Sequence, residues 1–415
     1  METDDYGLVM PGPLSGFHVV EACQMVAGPW AGTICADLGA DVTKIENPAG
    51  GDRFRYAGHR VGNIGAAWAG VNRGKRSVVL DLQHVEAVDA LKRIVATADV
   101  FIQNFRPGVA ERLGIGEPAL RAVNADLIYV SVSGFGDSGP YVDQKTYDYV
   151  IQALSGMAAL QTDPTTGEPA LIRNLVIDKI TAMAAAQAII AALLARERGA
   201  GGQHVQLSML DVALGFVWPD GMMQHTLLAT DGRVRSGPHL ADNYMVRKTA
   251  DGFIALSATS NSQFPGLCSA LGKPDWLVDE RFATLAAREA NADEINMLIA
   301  DALRMVPGVE LVAVLQAHDV PCALVAAIDS VHLDPQVQHN EILVEHERPW
   351  LGVVREPLPA AHYSTTPTSF GRHAPALDEH TDEVLSEVGF ASDELSRLRQ
   401  IGIIGRRLQQ QSQQQ

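Results

Sequence analysis

The sequence predicts an α/β protein: a large doubly wound open-sheet domain, residues 1–224 completed by 331–415, and a smaller α/β domain over 225–330. Three observations carry this reading. Short β-branched runs alternate with helical stretches over the first half of the chain, and strands separated by helices pair in parallel with helices on both faces. The segment "ATDGRVRSGPHLADNY" turns polar and glycine-bearing, which marks a boundary. A second, shorter alternation follows it and closes near "HDVPCALVAAIDSVHLDPQV".

The elements follow in order. "FHVVEAC" is a β-branched strand, "QMVAGP" a turn and "WAGTICADLG" a helix. "ADVTKIE", "SVVLDL", "DVFIQNF" and "LIYVSVSGFG" continue the strands, with helices at "HVEAVDALKRIVATA" and "PALRAVNA". In such a sheet, ligands bind at the carboxyl ends of the strands. A long helix follows Asp178, broken in polarity only by Lys179, Thr181 and Gln187. Arg196 and Arg198 suit its negative end, and the glycines of "RERGAGGQ" stop it. Its apolar part, Ile180 to Ala195, reads as too short to cross a bilayer comfortably. "HVQLSMLDVAL" is a strand leading into a helix. "FIALSAT", "SQFPGLCSALG" and "ADEINMLIADALRMV" build the smaller domain, and a helix at "TDEVLSEVGF" closes the chain. The tail "LQQQSQQQ" is of low complexity and reads as disordered.

At 415 residues, 47% apolar and 20% charged, the composition is that of a soluble globular protein. A net charge of −17 argues against nucleic-acid and anionic-membrane partners. A polyanionic small molecule is still admissible if cations are gathered locally. Cys23, Cys35, Cys268 and Cys322 form no CxxC pair and no metal-ligand spacing, so no metal site is expected. They read as reduced core thiols of a cytoplasmic protein, and "METDDYGLVMPG" lacks a secretory pattern.

Asp178 stands out because aspartate is rarely buried unless paired, capping a helix or doing chemistry. The residues alone leave those roles open, and a helix cap is the most economical. "HVVEACQMVAGPWAG", with Glu46 ending the next strand, has the outline of a dinucleotide-binding unit. Gly28 and Gly32 do not make G-x-G-x-x-G, however, and Pro29 replaces a turn glycine. A tight turn opening a helix is the favoured reading, with an NAD-dependent oxidoreductase as the alternative from another class. "NRGKRSVVLDL" carries Arg73, Lys75 and Arg76, "NFRPG" carries Arg106, and "DQKTYDYV" puts Lys145 beside Tyr147 and Asp148. Converging at loop ends of one sheet, these cations would suit a phosphate-rich ligand through charge-assisted hydrogen bonds.

Together these segments resemble the family III CoA-transferases, which include formyl-CoA:oxalate and carnitine-related CoA-transferases and the α-methylacyl-CoA racemases. The resemblance is carried by "PLSGFHVVEACQMVAGPWAGTICADLGADVTKIE", "NRGKRSVVLDL", "NFRPGVAERLG" and "KTYDYVIQALSG". It continues through "DKITAMAAAQAIIAALLARERGAGGQHVQLSMLD", "VPCALV" and "LDEHTDEVLSEVG", from about Pro13 to Gly389. It implies an interlocked homodimer of two-domain subunits and CoA transfer from an acyl-CoA to a carboxylic acid through aspartyl anhydride and aspartyl-CoA thioester intermediates. Coenzyme A is then a co-substrate, with no tightly bound cofactor.

On this resemblance Asp178 is the nucleophile. Met25, Val26, Ala27, Lys75, Arg106 and Lys145 contact CoA, with Arg73 and Arg76 beside Lys75 in the basic loop. Tyr147 and Asp148 of the active site bind substrate, as do Gly237 and His239 in the 236–240 loop. Val26 replaces a family glutamine, Asn47 an arginine, and the glycine-rich loop retains only Gly237, which argues against formyl-CoA and oxalate as substrates. A racemase needs a base on each substrate face, and its histidine position is Tyr147 here. A neutral tyrosine, with an ordinary pKa of about 10, serves that role poorly. Intramolecular CoA transfer would use the same aspartate. Trp218, Met222, Met223 and His225 are candidates for an acyl pocket, with ordinary core and surface roles as the plainer reading.

Overall fold

The computed structural model describes residues 12–62, 64–229, 232, 234, 240–258, 260–348, 351–368 and 371–405. The glutamine-rich tail lies outside the described residues, as do Gly237 and His239.

Six strands form one sheet: β1 (His18–Ala22), β2 (Asp41–Glu46), β3 (Lys75–Val79), β4 (Val100–Gln103), β5 (Ile128–Ser133) and β6 (His204–Ser208). Their order is β3-β2-β1-β4-β5-β6, with every neighbouring pair parallel. This is the doubly wound order, and direction reverses between β1 and β4. The inner strands are buried on both faces, which is why they read as nearly continuous apolar runs.

On one face, α1 (Ala27–Asp37) packs along α5 (Val176–Ala195). Small residues make this close approach possible: Ala27, Ala31 and Cys35 meet Ala182, Ala185 and Ile189 over Val19, Val42 and Val130. Between them in sequence, α2 (Ala66–Asn72) buries Trp68. The opposite face carries α3 (Val85–Val95), whose Val88, Leu91 and Val95 fall at helical spacing and are buried.

The helix at α5 runs longer than the sequence reading. With its terminal turn, Val176–Ala200 reaches the length and apolarity of a membrane-crossing helix. Its inner face, with Ile177, Thr181, Ala185 and Ile189 buried, is nevertheless part of the core against the sheet.

The chain divides into two compact units, residues 1–219 with 341–415 and residues 220–340. The boundaries read from composition were 224/225 and 330/331. The C-terminal stretch belongs with the large unit because it covers the open edge of β3. Gly74 N–H donates to the Arg372 carbonyl (2.8 Å), and His380 N–H to that of Ser77 (3.0 Å). Leu80 bridges Ile404, and the closing helices α10 (Thr381–Glu387) and α11 (Ser392–Gln400) add Leu385 and Leu398 to the α3 core. An edge strand is thereby protected from pairing with other chains.

The smaller unit has an antiparallel sheet of β7 (Val246–Lys248), β8 (Phe253–Leu256) and β9 (Cys322–Leu324). Ile254 packs in a core supplied by α7 (Gln263–Ala270), α8 (Ala292–Leu303) and α9 (Gly308–Ala317). The four cysteines are free thiols; three are buried and Cys322 is half-buried.

Candidate active site at the carboxyl edge of the sheet

β5 and β6 are parallel neighbours, so the chain must return from the carboxyl end of β5 to the amino end of β6. α5 makes that return, which places its first turn at the carboxyl edge. Asp178 is the third residue of α5, and Asp148 is the first residue of the short helix α4 (Asp148–Leu154).

The two carboxylates have different work. Asp148 is buried, and its Oδ2 accepts the backbone N–H of Asp178 at 3.0 Å. Its Oδ1 accepts from Gln152 Nε2 at 2.6 Å. Asp148 therefore caps α5 from another helix, where the flanking Leu175 provides no side-chain cap. The Asp178 carboxylate is half-buried and accepts no hydrogen bond among the described residues. Burial, with the Asp148 charge adding to it, pushes its pKa up to about 7. A helix N-terminus favours the ionised carboxylate; desolvation and a like charge outweigh it here. A carboxylate so placed is poorly solvated yet substantially ionised near neutrality, as a nucleophile requires.

Gln152 is a residue that sequence reasoning missed, although it lies four positions after Asp148 on one helix face. Its Nε2 also donates to the carbonyls of Ile172 (3.2 Å) and Asn174 (3.3 Å), and its Oε1 accepts Ile172 N–H at 2.9 Å. The segment leading into α5 is thus clamped, with Arg173 exposed at its centre. Arg173 makes no ion pair among the described residues. Tyr147 is exposed and stacks on Tyr149, ring centroids 5.9 Å apart. Lys145 is exposed as well.

At the reversal point, residues after β1 form a tight turn into α1. Met25 has φ +68°, unusual for a residue with a side chain, and Val26 and Ala27 are buried behind it. Asn104, after β4, ties the turn across the crevice: Gln24 N–H donates to its Oδ1 (2.9 Å), and its Nδ2 donates to the Gln24 carbonyl (2.8 Å). Beside this tie lies a cavity of about 200 Å³, lined by Gln24, Asn47, Asp81, Gln83, Phe105 and Leu113. Arg106 follows Phe105 and is exposed. Met25, Val26, Ala27 and Arg106 therefore share the edge that carries Asp178.

The basic loop is a correction. Arg73, Lys75 and Arg76 precede or begin β3 and sit at the amino end, where their charges are satisfied within the chain. Arg73 pairs bidentately with Asp37 at the end of α1, and Arg76 with Asp41 and Glu387. Lys75 is fully buried; its Nζ donates to Glu21 Oε1 (2.9 Å), Asn72 Oδ1 (3.0 Å) and the carbonyl of Pro29 (2.5 Å). Burial lowers its pKa to about 8, with Glu21 opposing and Lys44 adding to the drop. A loop before a strand faces away from the ligand edge, and this separates the trio from Arg106.

Glu46 settles the dinucleotide resemblance in a similar way. It is buried in a bidentate pair with Arg55 (2.9 and 2.6 Å) and accepts Ser77 Oγ, so it has no oxygen to offer a ribose. Burial pushes its carboxyl up, but Arg55 overcomes this and holds it down at about 2. Of the acyl-pocket candidates, Trp218 is exposed on α6 (Met209–Gly221), Met222 and Met223 are half-buried, and His225 is exposed.

Comparison with known proteins agrees with this geometry. Residues 14–381 match the family described as CoA-transferase family III. The chain is 36% identical over 386 residues to a succinate–glutarate CoA-transferase of Agrobacterium fabrum (strain C58), covering 91% of this chain and 96% of that one. The formyl-CoA:oxalate CoA-transferase of Escherichia coli O157:H7 is 30% identical over 416 residues, covering 94% and 99%. A crystal structure of a CAIB/BAIF family protein from Brucella suis superposes with a TM-score of 0.80 at 31% identity, covering 91% of this chain and all of that one. A match running through the sheet, the turn after β1 and the head of α5 leaves one assignment: this chain is an enzyme of CoA-transferase family III.

Proposed function

We propose that the protein is an acyl-CoA:carboxylate CoA-transferase in which Asp178 carries first the acyl group and then CoA. The observation that carries this reading is the Asp178 carboxylate, free of hydrogen bonds among the described residues on a helix whose first turn is fixed by Asp148. An Asp178 oxygen attacks the thioester carbonyl, the C–S bond breaks, CoA thiolate leaves, and an acyl–aspartyl anhydride forms. The thiolate attacks the aspartyl carbonyl and releases the donor acid, leaving an aspartyl-CoA thioester. The acceptor carboxylate displaces the thiolate to give a second anhydride. Thiolate attack on the acceptor's acyl carbon then yields the new thioester and frees Asp178. Covalent capture splits one difficult exchange into easier displacements.

The turn at Met25, Val26 and Ala27, with exposed Arg106 and Lys145, is the CoA-facing side of this reading. Asp148 positions Asp178 from a buried site, with each of its oxygens accepting a hydrogen bond. Exposed Tyr147 is suited to covering the acyl group, as shielding the anhydride from water requires. Several relatives are named for dicarboxylates, among them succinyl-CoA:glutarate CoA-transferase of Homo sapiens. Those names support a dicarboxylic acceptor, and Arg173, exposed and close in sequence to Asp178, would neutralise its distal carboxylate.

An interlocked homodimer belongs to the same reading. Met183, Ile190 and Leu194 make an exposed apolar stripe on the outer face of α5, with Phe216 exposed on α6. Free thiols fit a reducing cytoplasm. The decisive experiment incubates the protein with succinyl-CoA, traps with hydroxylamine and reads Asp178 by mass spectrometry. A modified Asp178 supports the reading; CoA exchange with an unmodified Asp178 overturns it.

A further inference from the structure

We infer that Asp52 is a positioning residue for CoA binding, acting through Met25 by means of a buried charge cluster beneath the turn after β1. The inference rests on the reading of that turn as CoA-facing.

Met25 holds a left-handed backbone that residues with a β-carbon adopt at a cost. Such a conformation persists where its surroundings over-determine it, and these cases gather at functional sites. Both Asp52 oxygens lie 3.1 Å from the Met25 nitrogen and accept its N–H. Asp52 is itself immobilised. Its own N–H donates to Glu46 Oε1 (3.0 Å), its Oδ1 accepts Phe54 N–H (3.0 Å), and its Oδ2 is 3.3 Å from Lys44 Nζ.

Lys44 extends the hold along the turn. Its Nζ donates to the Cys23 carbonyl (2.9 Å) and to Glu21 Oε1 (3.0 Å), the oxygen that also receives Lys75. Lys75 reaches the Pro29 carbonyl inside α1. Two carboxylates and two ammonium groups, none more than 1% exposed, therefore grip the chain at Cys23, Met25 and Pro29, while Asn104 grips Gln24 from the other side. Burying four charges is expensive, and apolar residues of similar volume commonly serve stability as well or better. What apolar residues cannot do is fix a backbone N–H and a backbone carbonyl two residues apart. The cluster supplies that geometry, and with it the placement of the residues entering α1, whose first-turn amides have no acceptor in their own helix.

The test measures CoA affinity by calorimetry on the full chain, together with acyl-CoA KM and thermal unfolding. Asp52→Ala should weaken CoA binding about tenfold, leaving the KM for the acceptor acid unchanged. Adding Met25→Gly, which takes a positive φ without strain, should recover most of that loss. Met25→Val, with the cluster intact, should weaken CoA binding by itself because β-branched residues resist this conformation. Unchanged CoA affinity in both Asp52→Ala and Met25→Val overturns the inference, as does a Met25→Gly addition that restores nothing. If Asp52→Ala does not fold, Asp52→Asn, which loses the ion pair with Lys44, takes its place, and wild-type CoA affinity in it overturns the inference. CoA affinity is read independently of turnover, so absence of an Asp178 adduct counts against the proposed function and leaves this measurement standing.

Discussion

Asp148 Oδ2 accepts the backbone N–H of Asp178, so one carboxylate caps the helix that presents the other. Burial raises the pKa of the second carboxylate, and the contact that fixes where it sits adds to the rise, because capping brings a like charge close. Position and proton affinity of Asp178 are therefore linked through a single side chain.

Removing the nucleophile gives the plainest outcome. Asp178→Ala should lower CoA exchange by roughly a thousandfold or more, with circular dichroism and oligomeric state unchanged. Asp178→Asn should also be more stable than the wild type at alkaline pH. The folded pKa of about 7 stands above the ordinary 3.8, so the folded protein holds this proton more tightly than the unfolded chain. The resulting stabilisation is complete below the ordinary value and is lost as pH rises through about 7. Allowing for partial exposure, the asparagine advantage should be on the order of 2 kcal/mol. Urea unfolding should show a wider gap between the two proteins at pH 8 than at pH 4.

The pH profile of turnover should expose the link to Asp148. Only ionised Asp178 attacks, so kcat/KM for the acyl-CoA should climb with pH through about 7 and then level off. Asp148→Asn keeps an acceptor for the Asp178 N–H but removes its charge, and should move the midpoint of the climb to lower pH. Asp148→Ala also removes the cap and should cost about 1 kcal/mol in urea unfolding. A midpoint unmoved in Asp148→Asn would separate the two carboxylates electrostatically.

Much of the large unit was legible because its strands are buried on both faces and its helices carry apolar residues at helical spacing. The order of motifs likewise brought Asp178 to the head of α5. What lay hidden depends on contacts between residues distant in sequence. Asp148 and Asp178 are 30 positions apart, and nothing local marks one as the cap of the other. Glu21 and Lys44 are charged residues in buried strands, and the parallel register of β1 and β2 sets them side by side to neutralise each other. Arg73, Lys75 and Arg76 looked like ligand cations because a charge in sequence carries no record of its partner. The end of the strand on which they fall was the available clue.

Gly32 tests how rigid the buried cluster is. A β-carbon there would lie 2.2 Å from Glu21 Oε2 and 3.4 Å from Lys75 Nζ. Glu21 cannot swing aside without surrendering both lysines, which share its other oxygen. Gly32→Ala should therefore destabilise by about 3 kcal/mol, well beyond an ordinary glycine-to-alanine change in a helix, which is stabilising. Thermal unfolding decides it, and a variant as stable as the wild type would mean that the cluster yields.

Arg173 bears on which acids are used. Its segment is clamped by Gln152 through three backbone hydrogen bonds, so the exposed guanidinium stands on a rigid support close in sequence to Asp178. In a chain of net charge −17, an acceptor with two carboxylates meets a repulsive background and requires a local cation. Arg173→Ala should raise the KM for succinate or glutarate about tenfold while changing that for a monocarboxylate such as butyrate less than about twofold. Arg173→Lys should recover part of the loss, since a point charge replaces the bidentate fork. Equal effects on mono- and dicarboxylates would show that the arginine does not read the distal group, and the choice of acid would then rest on apolar contacts alone.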